Sequence, residues 1–265
     1  MFKTRLLSGI MLMAIAIVVI VFGGNVLFIT AAVISFIGMI ELYKIEKVHK
    51  ALPGFVGYLA GFSYYALLYY ERKEDMLLSF IIFLLLLMIV YVFRFPKYKT
   101  AQISIVYFGL FYVSIMLSYI YQVRELQDGA FLVWLIFIGA WGSDTCAYCV
   151  GMLIGKHKIA PKLSPKKSLE GCIGGVVGAA LIGFIYATVF KDKITGIGDP
   201  QIAFPIIGAA SSIISQIGDL AASAIKRNHD IKDYGNLIPG HGGILDRFDS
   251  IIFTAPIVYY LAEWL

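Results

Sequence analysis

The sequence predicts an all-α fold: a polytopic integral membrane helical bundle of about nine transmembrane helices, with the N-terminus cytoplasmic. Three observations carry this. Apolar residues make up 60% of the 265 and charged residues only 15%, against roughly half and a quarter in water-soluble domains. Nine mostly apolar runs, each close to the roughly 20 residues needed to cross the hydrocarbon core, alternate with polar breaks. Lys and Arg are distributed unequally between alternate breaks, as the positive-inside rule requires. The same numbers exclude other classes. The length leaves no room for a separate soluble domain, the three cysteines cannot make a disulfide framework, and in a membrane chain the net charge of +5 reports orientation before any nucleic-acid partner.

The first run, Leu6 to Phe22, follows Lys3 and Arg5 as a signal peptide would. It has no convincing small-residue cleavage site and more apolar runs follow, so it reads as a retained first span. The break after it, Gly23-Gly24-Asn25, is the weakest in the chain; the first run and the second, Val26 to Tyr43, are either a tight hairpin or one bent element. Gly54 to Tyr70, Met76 to Phe93 and Ile103 to Val123 follow. The sixth run, Ala130 to Met152, contains Asp144, and the polar break Gly155 to Glu170 succeeds it. Cys172 to Phe190 is the seventh; glycines 171, 174, 175 and 178 read first as small residues for close helix packing. Ile202 to Ile225 is the eighth and contains Asp219. After the second long polar break, Lys226 to Gly243, the ninth run extends from Ile244 to Leu265. Pro205 and Pro256 can bend the eighth and ninth helices without a chemical role.

With the N-terminus inside, the inner segments hold 17 basic residues: Lys3, Arg5, Lys44, Lys47, Lys50, Arg94, Lys97, Lys99, Lys156, Lys158, Lys162, Lys166, Lys167, Lys226, Arg227, Lys232 and Arg247. The outer segments hold 5: Arg72, Lys73, Arg124, Lys191 and Lys193. This split puts both long polar breaks in the cytoplasm and the C-terminus outside. Residues 1–125 read as N-terminal transmembrane helices with a lipid-facing, dimer or scaffold role, and residues 126–265 as the part that carries chemistry.

Charges at membrane depth are costly and are usually kept for a task. Asp144 and Asp219 lie inside apolar runs. Asp246 and Asp249 open the ninth, three residues apart and therefore on one helical face, where a helix N-terminus favours negative charge. Each carboxylate taken singly has a bland account as a helix-end group bonded to a neighbour; four on one side point to a shared cation site. Around them stand Ser223, Lys226, Arg227, Lys232 and the turn Gly240-His241-Gly242-Gly243. Glycines let the backbone approach a ligand, and a helix N-terminus offers N–H groups to phosphate oxygens. Mg²⁺ is usually held by one or two carboxylates plus substrate phosphates, so this set suits a Mg²⁺-bound nucleoside triphosphate. Lys162, Ser164, Lys166, Lys167 and Ser168 precede the seventh span; singly, each lysine is equally an anchor to anionic lipid. Cys146 and Cys149 have redox spacing but read as small residues on a packing face. His49, His157 and His229 are loop histidines without a partner in the sequence.

The stretch Ser223-x2-Lys226-Arg227-x4-Lys232-Asp233-x-Gly235-x3-Pro239-x-His241-Gly242-Gly243-x2-Asp246-Arg247-x-Asp249 resembles the signature of the phosphatidate cytidylyltransferase (CDP-diacylglycerol synthase) family without departure. Ser143-Asp144-Thr145-x-Ala147-Tyr148-x2-Gly151, Gly155-Lys156, Ser164-Pro165-Lys166-Lys167-Ser168-x-Glu170-Gly171 and Gly218-Asp219-Leu220 are similar to that family as well, so the likeness covers roughly residues 141–250. It implies an enzyme of phospholipid biosynthesis in the cell's inner (plasma) membrane, its active site facing the cytoplasm. The reaction would be condensation of CTP with phosphatidic acid to CDP-diacylglycerol and pyrophosphate, with Mg²⁺ as one or two divalent ions. On that reading Asp219, Asp246 and Asp249 hold the metal, with Asp144 as a fourth ligand or an acceptor for the metal's water. Asp144, Lys226, Asp246 and Asp249 carry the chemistry. Lys166, Lys167, Ser223, Arg227, His241, Gly242, Gly243 and Arg247 bind substrate. The partners are CTP, phosphatidic acid and membrane lipids, with no nucleic acid, and a homodimer is left open. Two alternatives stand beside it: an ion-coupled secondary transporter, since intramembrane carboxylates also mark ion paths, and a cytidylyltransferase for another lipid phosphate. Against the transporter, the first half carries no pattern matching the second.

Overall fold

The computed structural model describes residues 2–238 and 240–265; Pro239 of the signature, and the side chains of residues 1–8 with Lys3 and Arg5 among them, lie outside the described residues. Among the described residues, nine helical rods match the nine apolar runs. They are α1 (Phe2–Phe22), α2 (Gly24–Ile45), α3 (Leu52–Tyr69), α4 (Met76–Phe93), α5 (Thr100–Gly109) continuing into α6 (Met116–Glu125), α7 (Gly129–Phe137) continuing into α8 (Ser143–Ile154), α9 (Leu169–Phe190), α10 (Pro200–Asn228) and α11 (Leu245–Trp264). Six of the rods are long and apolar enough to cross a membrane, among the described residues: α2, the α4 segment from Lys73, α5–α6, α7–α8, α9 and α10. The chain is a membrane protein. α3 falls short because tyrosines and glycines dilute it, and α11 because its opening turns carry Asp246, Arg247 and Asp249.

The weak first break is a hairpin. A single residue, Gly23, separates α1 from α2, and Gly23 and Gly24 both have positive φ (60° and 46°). That backbone suits glycine, and α1 doubles back so that Gly9 and Ile34 line the same cleft. The other connections sort themselves by side as the alternating topology requires. At one end Gln102 donates to the Glu46 carbonyl at 2.9 Å and His229 lies 3.7 Å from the Glu46 carboxylate. At the other, Arg124 donates to the Ile20 carbonyl at 3.2 Å, and the Asp128 carboxylate accepts from the amides of Thr195 and Gly196.

Two short strands depart from the all-helical expectation. β1 (Lys158–Ala160) and β2 (Ser164–Ser168) form an antiparallel hairpin within the first long polar break. Ser168 then caps α9, its hydroxyl accepting from the Gly171 amide at 3.2 Å.

Small residues set the packing under this hairpin. α9 buries Gly171, Gly175, Ala179, Gly183 and Ala187, a stripe four residues apart. A Cβ at Gly178 would collide with Cys146, and one at Gly174 with Val150. The glycines therefore bring α9 against α8 as small-residue packing does in membranes, and Cys146 occupies a packing face while all three cysteines are free. Ser143 and Ser212 share a 2.6 Å hydrogen bond between α8 and α10, and the Gln216 amide donates to the Cys172 carbonyl at 3.1 Å. These polar links are satisfied internally, as the apolar surroundings demand. The α5–α6 and α7–α8 rods each contain a π-helical segment, Leu110–Ile115 and Ile138–Gly142. Such segments often accompany functional sites. The first carries Tyr112, close to Asp219 and Asp249; the second delivers Asp144 two residues beyond its end.

Candidate active site

A cavity of about 740 Å³ opens where α8, the β1–β2 hairpin, α10 and the start of α11 meet. Asp144, Asp219, Asp246 and Asp249 line it together with Lys166, Lys167, Lys226 and Arg247. The four carboxylates that the sequence places on one side thus meet in one space. Lys158, Gln216 and Asp233, absent from the sequence-based set, line it too. Nothing in hydropathy marks them: Lys158 reads as one more inner lysine, Gln216 lies within an apolar run, and Asp233 belongs to a polar loop, although it stands in the family-like stretch from Ser223 to Asp249.

The carboxylates are not equivalent. Asp246 is buried, its side chain 1% exposed, and its oxygens are engaged: Oδ1 by Lys226 Nζ at 2.8 Å, Oδ2 by the amides of Tyr234 and Gly243 at 2.8 and 2.9 Å. Three donors fix this group and tie the loop to α11. Asp219 pairs with Lys167 Nζ at 2.5 Å; the contact is ionic by distance, and Lys167 Nζ makes no hydrogen bond among the described residues. Asp249 Oδ1 accepts only from the neighbouring Ser250 amide at 2.8 Å. Its other oxygen has no protein donor among the described residues, and Asp219 lies within Coulombic reach. Asp144 in turn is within reach of Lys167 and Asp219.

The glycine-rich turn is built differently from a vacant anion cradle. Gly240 and Gly242 have φ of 78° and 85°, Ile238 N donates to the Gly242 carbonyl at 2.9 Å, and His241 N donates to the Ile238 carbonyl at 2.9 Å. The N–H groups that follow are already occupied by carboxylates: Gly243 N by Asp246, Ile244 N by Glu41 Oε1 at 3.0 Å, and Leu245 N by Glu41 Oε2 at 2.9 Å. These N–H groups, which the sequence offers to phosphate oxygens, are engaged by the chain's own carboxylates. Glu41 is on α2, 2% exposed, and a Cβ on Gly235 or Gly243 would stand 2.5 Å from its Oε1. The one signal for it in the sequence is an acidic residue within an apolar run, three residues before Lys44. Hydropathy scanning passes over it because Leu42 and Tyr43 follow.

The remaining candidates lie elsewhere. His241 and Gly242 line an adjacent cavity of about 540 Å³, joined to the first at Asp233 and Arg247. Gly243 is buried against Glu41 and does not line the main cavity. Neither do Ser223, half-buried, and Arg227, exposed. Tyr234 supports Lys226: its ring centroid is 5.3 Å from Nζ and its hydroxyl donates to the Ala222 carbonyl at 3.2 Å. Burial, with Tyr112, Asp246 and Asp249 nearby, holds its phenol protonated well above the usual range.

Among the described residues no three His, Cys, Asp or Glu form a ready-made metal-binding group. The donor set nevertheless fits Mg²⁺, which keeps several waters and needs only one or two protein carboxylates when phosphates complete its shell. Asp249 offers a free oxygen, Asp219 is its close neighbour, and Asp246 is the least available of the four.

The family described as the Cytidylyltransferase family matches residues 3–265. The chain is 31% identical over 270 residues to the phosphatidate cytidylyltransferase of Bacillus subtilis (strain 168), covering 98% of this chain and 97% of that protein. It is 34% identical over 202 residues to that of Thermotoga maritima, covering 76% and 73%, and 43% identical over 138 residues to that of Haemophilus influenzae, covering 52% and 47%. The chain belongs to the cytidylyltransferase family. That membership sets aside the ion-coupled transporter.

Proposed function

We propose that this chain condenses CTP with phosphatidate to give CDP-diacylglycerol and pyrophosphate, working from the cytoplasmic face of the inner membrane. The single observation that carries the reading is the cavity in which five aspartates and five cationic side chains meet, between the β1–β2 hairpin and the polar ends of α8, α10 and α11. Such a space admits a water-soluble triphosphate and adjoins the bilayer that supplies the lipid. An oxygen of the phosphatidate phosphate bonds to the α-phosphorus of CTP, the bond from that phosphorus to the β-phosphate oxygen breaks, and pyrophosphate carries away the electron pair. The protein's part is positioning and neutralisation of charge, with no covalent intermediate. Lys166, Lys167 and Arg247 bear on phosphate oxygens. Lys226, held by Asp246 and by the Tyr234 ring, keeps a fixed positive charge at the wall. Asp219 and Asp249 would hold Mg²⁺, with Asp144 beside them. When bound, the ion supplies charge neutralisation and orientation of the phosphates.

The test is direct. Purified protein in detergent, given CTP, phosphatidate and Mg²⁺, should yield a CDP-lipid and pyrophosphate in equal amounts, and neither when Mg²⁺ is chelated. Folded protein that yields no CDP-lipid would overturn the reading. The facing of the site is tested separately. Single cysteines introduced at Lys162 and Asn236 should resist an impermeant thiol reagent in intact cells and react in inverted vesicles, whereas labelling from outside would reverse the topology.

A further inference from the structure

A second cavity, of about 470 Å³, lies between α1, α2 and α7 and is walled by Leu12, Ala16, Val19, Leu27, Ile34 and Trp141. Its lining is almost wholly apolar. Thr30 contributes a hydroxyl that is already donated to the Val26 carbonyl at 2.7 Å, so among the described residues the only charged or strongly polar side chains are those of His241 and Arg247, at one end. Arg247 is the residue common to this cleft, the carboxylate–lysine cavity and the space beside the glycine-rich turn. It is exposed, and its side chain makes no ion pair or hydrogen bond among the described residues.

We propose that this cleft holds an acyl chain of the phosphatidate substrate, with the Arg247 guanidinium at its mouth binding the lipid phosphate; the proposal rests on the functional reading above. Phosphatidate joins a phosphate monoester to hydrocarbon within a few bonds, so its site must join a cation-lined cavity to an apolar one at a single point. Arg247 is that point, and its planar fork of donors suits bidentate contact with a phosphate. A rival groove between α9 and α10, walled by Ile173, Val177, Ile213 and Ile217, meets the main cavity at Lys167, Cys172 and Gln216, of which Lys167 and Gln216 carry the polar side chains. Both polar groups there are taken, Lys167 by Asp219 and the Gln216 amide by the Cys172 carbonyl. A lipid phosphate arriving by that route would have to break an existing contact, whereas the Arg247 guanidinium makes no close ion pair or hydrogen bond among the described residues and has only the more distant pull of Asp249.

The cleft runs beside α1 from Gly9 to Ile20, about 16 Å at 1.5 Å per residue. A chain entering from the bilayer gains little hydrophobic free energy, because lipid tails are as apolar as the walls. Selection must therefore be steric, through the length and bulk the cleft accepts.

The experiment uses the whole chain in lipid nanodiscs with phosphatidate carrying a diazirine at the end of one acyl chain. Photolysis should label α1, α2 or Trp141. Label confined to the α9–α10 groove, or absent from the protein while product forms, would overturn the proposal. Ala16→Phe provides a second readout. It should lower kcat/KM for dipalmitoyl relative to dihexanoyl phosphatidate by ~10-fold or more, as overpacking of an apolar space does, while Leu85→Phe on the lipid-facing side of α4 keeps the parent ratio. An unchanged ratio in Ala16→Phe would also overturn it. A parent protein that forms no CDP-lipid from either phosphatidate refutes the functional reading instead, so the two failures are distinguishable.

Discussion

Glu41 is where the first half of the chain grips the second, and its removal has a calculable cost. Its carboxylate accepts the amides of Ile244 and Leu245 at 3.0 and 2.9 Å, at the N-terminus of α11, and the residue is 2% exposed. Glu41→Ala leaves two buried N–H groups unpaired, each costing about 1–3 kcal/mol, and removes a negative charge from a helix N-terminus that favours one. The pair sums to about 2–6 kcal/mol, a large share of the ~5–15 kcal/mol by which a typical domain is stable. Glu41→Gln keeps the volume and one acceptor oxygen but turns an NH₂ towards the second amide, so it should lose about half as much. Thermal unfolding in detergent and hydrogen exchange at residues 243–246 measure both effects. The expected order of stability is parent, Gln, Ala, with faster exchange at Ile244 and Leu245. Turnover should fall as well, since Gly243 and Asp246 follow the same turn. If Glu41→Ala unfolds within about 0.5 kcal/mol of the parent and leaves those amides protected, the clamp does not hold α11 and the argument fails.

Three further outcomes follow from the site geometry. Asp249→Asn should abolish turnover with an unfolding midpoint close to the parent's, because among the described residues no cation makes a close ion pair with it and Lys226 is held by Asp246 instead. Asp246→Asn should destabilise the fold by up to about 3–5 kcal/mol, by stranding Lys226 in a largely buried position; the reverse pattern in a melting series would exchange their roles. Lys226→Ala should reduce turnover by about 10² or more, Arg227→Ala should cost less because that side chain lies outside the cavity, and Lys191→Ala, bonded to Gln201 at the opposite end, should match the parent in initial-rate assays; equal rates for all three would refute the role of the Lys226 charge and leave neutralisation to Lys166, Lys167 and Arg247. Gly242→Ala should cost at least about 1–2 kcal/mol in a melting experiment, since φ is 85° and the new Cβ would stand 2.9 Å from Asp246 Oδ2; a neutral effect would show that the turn can change its backbone.

The spans, their alternation and the candidate aspartates were legible in the sequence because each rests on a local property. Apolar runs report the bilayer, Lys and Arg counts predict sides, and Asp144 and Asp219 stand out as carboxylates well inside apolar runs, whereas Glu41, two residues from the end of its run, does not. The glycine stripe of α9 was legible for the same reason, since small residues at a spacing of four define a helix face. What each polar group does depends on partners far away in the chain, and only the tertiary structure supplies those. Asp246 and Asp249 are three residues apart on one helix, yet one is held by Lys226 and two amides and the other keeps a free oxygen, because the loop from Lys226 to Gly243 folds over the first and not the second. The Gly240–Gly243 turn reads as an anion cradle from its composition, and α2 fills the N–H groups behind it with Glu41 from 203 positions upstream. Arg227 and Lys226 are neighbours in sequence, but helix geometry turns successive side chains about 100° apart, so one faces the cavity and the other faces away from it. Hydropathy and spacing determine where the membrane is and which helix faces are polar; the pairing of charges is a distance between helices, and that distance exists only once the bundle has packed.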